Sequence, residues 1–165
     1  MQKYHPRVGA ITLVLLMALP GWPVPQAAQP ASPKGALASA EGEKSGSRVE
    51  VQELKRVSGG TVMLRFAIIN DTSDRFPFGN QLIQAGINES NTIGGVHLID
   101  PVGKKKYLVV RDSQNNCDCS RKLTELKPKS SINLWARFPA PPDNVEKINV
   151  VIPRFAPLDD VPISR

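Results

Sequence analysis

Two cysteines stand one residue apart in Asn116-Cys117-Asp118-Cys119-Ser120, and the chain has no others. A thiol pair at that spacing can do three kinds of chemistry. It can close on itself as a disulfide, because bridged cysteines need Cα separations of about 4.4–6.8 Å and an i, i+2 pair reaches that by bending. It can exchange electrons with an external dithiol, since bonds in small rings are the more easily reduced ones. It can also hold a soft ion such as Cu(I) between two thiolates. Beyond residue 28 the only histidine is His97 and the only methionine is Met63. Neither a third soft ligand nor the four ligands of a structural zinc site lie close by in the chain. The three readings of Cys117 and Cys119 therefore stay open: a structural staple, a redox pair or a copper clip.

Two further groups could contact a partner. Phe76 and Phe78 flank Pro77 within 71–94, a stretch of about two dozen residues with weak strand character. Long connections of that kind often carry binding elements. Buried aromatics there would anchor a partner, or else plug the end of the domain. Lys104, Lys105 and Lys106 follow the turn Pro101-Val102-Gly103. They could meet an acidic surface, or keep a sheet edge solvated. In that turn Pro101 presets its own φ and Gly103 is expected to supply the permissive position. Asp159-Asp160 reads as a solvated turn before a last short strand, because two carboxylates alone do not make a calcium site. No G-x-S-x-G elbow is present to match with the lone His97. No catalytic residue, no metal set and no cofactor is assigned.

The elements that must position these residues come after a distinctive front end. Lys3 and Arg7 precede an apolar run over 8–19, Pro20 and Gly21 break it, and Ala27 and Ala28 follow. This is the order of a secretory signal peptide. The run is too short for a spanning helix, which needs roughly 20 residues. Residues 1–28 are thus expected to be removed, and the protein to be exported to a periplasmic or extracellular setting. An uncleaved leader would instead leave a membrane tether. Residues 29–47 are rich in Pro, Ala, Gly and Ser without hydrophobic period, and are expected to form a flexible linker. Residues 48–165 are expected to form one domain. Without Lys3 and Arg7 the chain keeps 19 basic and 15 acidic residues, a net charge of +4. That charge is scattered, whereas nucleic-acid binders concentrate it on one face with aromatics. No nucleic-acid partner is expected.

Period two dominates the domain. Val62, Leu64, Phe66 and Ile68 alternate with Met63, Arg65, Ala67 and Ile69. Ile132, Leu134, Ala136 and Phe138 form a second inward set, and Ile148, Val150 and Ile152 a third. Shorter runs at 49–57, 95–100 and 106–112 fit the same reading, with turns at Gly59-Gly60, Gly94-Gly95, Pro128 and 139–143. With a short strand at the end, about seven strands read as an all-β antiparallel sandwich, or as a barrel. The segments VMLRFAIINDTSD, GVHLIDPVGKKKYLVV and LKPKSSINLWARFPAPPDNVEKINVVIP together resemble secreted immunoglobulin-like domains of bacterial exported proteins and lipoproteins. The resemblance covers 49–163. It implies an immunoglobulin-like β-sandwich outside the cytoplasm, with no catalytic position to carry over. The function expected is a non-enzymatic binding or structural module for a protein or cell-envelope component. The alternative is a periplasmic redox or Cu(I)-handling protein using the Cys-x-Cys pair.

Overall fold

Strand β3 (Thr61–Asn70) forms because its even positions are apolar and branched or aromatic, the pattern that suits a half-buried pleated surface. Val62, Leu64, Phe66 and Ile68 are all fully buried. A computed structural model describes residues 35–80, 82–83 and 90–165 of the chain, within the compact unit Ala31–Arg165. The expected signal peptide at 1–28 lies outside the described residues. All regular structure among the described residues is β, and no helix there is long and apolar enough to cross a membrane.

Two antiparallel sheets share one core. The first contains β1 (Ala38–Glu41), β2 (Ser47–Val57), β3 and β8 (Ser130–Pro139), side by side in the order β1-β2-β3-β8. In the second, β10 (Leu158–Pro162), β9 (Lys147–Val151), β5 (His97–Asp100) and β6 (Lys105–Leu108) lie in the order β10-β9-β5-β6. A small pair joins β4 (Phe76–Pro77) to β7 (Glu125–Leu126). The inner face of β3 sets the register of the first sheet: Val62 faces Phe138, Leu64 faces Ala136 and Phe66 faces Leu134. Leu98, Ile148 and Val150 meet that layer from the second sheet.

In β2 the inward set shifts phase. Val49 and Val51 point inward, Gln52 is the extra residue of a β-bulge, and Leu54 resumes the inner face. One extra residue reverses which parity faces the core. Gln52 itself turns outward and donates from Nε2 to Asn133 Oδ1 at 3.0 Å, across the strand between them.

The structure corrects several expectations. Ten strands are described against about seven, the additions being β1, β4 and β7. Within the linker expected over 29–47, Ala38–Glu41 form β1, which pairs with β2 from Ala38–Val51 to Glu41–Arg48. Its inner residues are only alanines, so backbone pairing and close approach replace bulky apolar side chains. Gly42 makes that approach possible, since a Cβ there would collide with Ser47 Oγ. In the lysine hairpin the left-handed residue is Lys104, at φ 51°, rather than Gly103. Gly103 is needed for a different reason: a Cβ there would run into the Asp100 carboxylate, whose Oδ1 accepts from the Val102 and Gly103 N–H groups. Asp159 and Asp160 form a bulge inside β10 rather than a turn before it.

Both ends of the sandwich carry inward polar groups with defined partners. At one end Arg56 donates to the carbonyls of Pro141, Pro142 and Val145. At the other, buried Asn70 donates from Nδ2 to the Asp74 and Lys127 carbonyls at 2.8 and 3.0 Å, while its Oδ1 accepts from the Thr72 hydroxyl.

Candidate functional site

The Cys-x-Cys motif sits in a small hairpin that follows β6. Arg111 pairs with Cys117 in antiparallel fashion, and residues 112–116 form the tip. Asp112 holds that tip: its Oδ1 accepts from the Gln114 and Asn116 N–H groups, both at 2.9 Å. Hydrogen bonds from the Asn116 side chain and backbone hold the Asp112 carboxyl below its usual range. Asn115 takes the left-handed conformation at φ 65°, which asparagine tolerates well.

The returning strand of this hairpin lies between the two sheets. Asp118 N–H donates to the Val110 carbonyl at 2.8 Å, Val110 N–H to the Arg137 carbonyl at 2.8 Å, and Arg137 N–H to the Asp118 carbonyl at 3.0 Å. Three backbones close a ring of hydrogen bonds at one point. Cys119 pairs with Ala136, and Ser120 N–H donates to the Trp135 carbonyl at 2.9 Å. The segment therefore stitches the continuation of β6 to the edge of β8. On the opposite side of the sandwich, Gly42 pairs with Phe155, and Ser164 N–H donates to the Leu54 carbonyl.

Cys117 and Cys119 point inward, as alternate residues of a strand do, and both belong to the buried core at 2% and 3% exposure. Their sulfurs are paired, with Cα atoms 5.3 Å apart. Asp118, between them, points outward to Arg137 Nη1 at 3.1 Å. Two clefts adjoin the hairpin and share Asn116 and Arg121. One, of about 430 Å³, is lined by Ser90, Asn91, Thr92, Asn116, Arg121 and Lys122. A smaller one, of about 190 Å³, reaches Cys117 between Arg111 and Arg121.

The other candidates are not brought to this place. Lys104, Lys105 and Lys106 occupy the far end of the β5–β6 hairpin, and the six residues from Lys105 to Val110, when extended, span about 17 Å. Their side chains are exposed, and Lys105 Nζ lies 5.0 Å from the Tyr107 ring centroid. Val102 beside them is 91% exposed and helps line a cleft of about 460 Å³ with Pro142 and Val145. Phe76 and Phe78 do not stand out as anchors for a partner. They are 3% and 1% exposed, meet edge to face at 5.6 Å, and Phe76 stacks on Phe155 at 6.1 Å. The proline between them is held in the β4–β7 pairing, which turns both rings into the end of the core.

Sequence reasoning missed the residues that frame the cysteines. Arg137 falls on the outward parity of β8, and Val110 and Trp135 contribute only backbone groups, which side-chain identity does not reveal. Among the described residues, no group of three or more His, Cys, Asp or Glu is arranged to hold a metal ion.

No protein-family model matches the sequence, and no curated protein matches it. Among solved structures the chain is similar to a conserved hypothetical protein from Bacillus anthracis, with 14% identity and a TM-score of 0.41. That match covers 74% of this chain and 95% of the other.

Proposed function

We propose that the protein is an exported, non-enzymatic binding or structural module of the cell envelope or extracellular space, acting on a protein or envelope component. We read the sandwich as immunoglobulin-like in the broad sense of two antiparallel sheets over one core. Its order β1-β2-β3-β8 departs from the A-B-E-D order of constant-type domains, so the likeness is one of architecture. The observation that carries the reading is the placement of the Cys-x-Cys pair. Both side chains are buried in the core, at the point where the hairpin ties two sheet edges together. A staple needs that position, whereas a catalytic thiol needs an accessible one. The export half of the proposal rests on the basic and apolar order of residues 3–28.

The test is capture from envelope extract on immobilised mature protein, with the Cys117→Ser, Cys119→Ser double variant beside it. The proposal expects one retained component, bound equally by both forms. Loss of binding in the double variant, together with copper in the unmodified protein, would favour the redox or Cu(I) function instead.

A further inference from the structure

The paired cysteines flank Asp118, a residue whose backbone takes part in joining three strands. Asp118 accepts from Arg137 and donates to Val110, and Val110 closes the ring by donating to Arg137. In an extended strand, residues i and i+2 lie about 6.6 Å apart. Here the Cα atoms of Cys117 and Cys119 are 5.3 Å apart. The bond therefore holds the segment tighter than a free strand would sit, and it does so around the amide that completes the junction. We infer that the Cys117–Cys119 bond is a redox-sensitive latch. When it is formed, the hairpin is fixed against β8 and covers that edge. When it is reduced, the segment relaxes toward full extension and the backbone groups of Trp135 and Arg137 are released to solvent or to an incoming strand.

The reductant is an external dithiol of the thioredoxin class. Both cysteines are buried while the hairpin is closed, so the reductant reaches Cys117 when the 112–116 tip opens beside the cleft of about 190 Å³ that Arg111, Asp112, Asp118 and Arg121 also line. Its thiolate attacks the Cys117 sulfur, Cys119 departs as a thiolate, and the second thiol of the reductant then displaces Cys117. Two electrons pass to the protein. The two protons given up by the reductant end on Cys117 and Cys119, and the reductant leaves as a disulfide. The two arginines at the opening favour the thiolate forms along the way. The rest of the core need not repack, because reduced cysteines are still small apolar residues.

This inference rests on the bond being formed in the exported protein, so alkylation and intact mass of the starting material come first. Amide hydrogen exchange is then followed at Val110, Asp118, Ser120 and Arg137, with and without a thioredoxin-class dithiol. Reduction removes the ring's loop-entropy term, about tenfold, from every amide that exchanges through global unfolding. Exchange at the four junction amides should quicken beyond that tenfold, while Leu64 and Phe66 should quicken by no more than it. The double serine variant should exchange at the faster rate in both conditions. Unchanged protection at the four amides on full reduction overturns the latch while leaving the binding module standing. Equal quickening at Leu64 and Phe66 and at the four junction amides would show a staple for the whole fold instead. Two alkylatable thiols before any reductant is added would remove the premise.

Discussion

Phe66 lies on the inner face of β3, with Val51 of β2 on one side and Leu134 of β8 on the other. Truncating it leaves a cavity that two paired sheets cannot collapse to fill. Phe66→Ala should therefore cost about 3–5 kcal/mol in a denaturant melt. Its neighbour Arg65 points the other way and meets Glu53 at 3.2 Å in an exposed pair. Arg65→Ala should cost under about 1 kcal/mol. Similar losses for the two would mean that the inner face is misplaced. His97 offers a test in pH. It is half-buried, and burial is the main cause that lowers its pKa from 6.5, with Lys106 adding repulsion against the Gly95 carbonyl contact. A depressed histidine pKa means that the unfolded chain takes up the proton more readily. The contribution is fully present above the unfolded value and is lost as pH falls below it. Melts between pH 7 and pH 5 should show declining stability, and His97→Gln should flatten that decline; an unchanged slope would assign it to other groups.

At the scale of elements, strands with a bulky apolar parity were legible. The inward sets of β3, β8 and β9 are visible as alternation, because each side chain on that parity is large enough to mark the face. β1 was not, since its inward residues are Ala38 and Ala40, and its order comes from hydrogen bonds such as Leu37 N–H to the Val51 carbonyl at 2.7 Å. The bulge in β2 was hidden for a related reason: Gln52 is an ordinary surface residue, and only the spacing of Val49, Val51 and Leu54 betrays the change of phase. Of the candidate site, spacing offered the cysteine pairing as one of three readings, but the three-strand junction could not be read, because it is made of backbone from Val110, Asp118 and Arg137. The hairpin also carries a prediction. The ring closed by Cys117 and Cys119 is so small that its loop-entropy contribution is modest. The double variant Cys117→Ser, Cys119→Ser should lose about 1–2 kcal/mol and keep its β circular dichroism. A loss of the fold would show that the junction cannot form without the bond.

At the scale of the whole molecule, two sheets stitched at their edges enclose one core, and the Cys117–Cys119 bond on one of those seams would persist in the non-reducing setting proposed for the protein. Delivery there is proposed from the leader alone. Placing charge in its apolar run, with Leu15→Arg and Leu16→Arg, should leave full-length precursor in the cytoplasm, as fractionation and immunoblotting would show. Export at the original level would remove the leader from the account. The most direct single measurement is the native intact mass, after alkylation without reductant, of the protein recovered from outside the cytoplasm. The account predicts a chain beginning near residue 28, with no alkyl group and no copper. A species carrying two alkyl groups or a copper ion would contradict it.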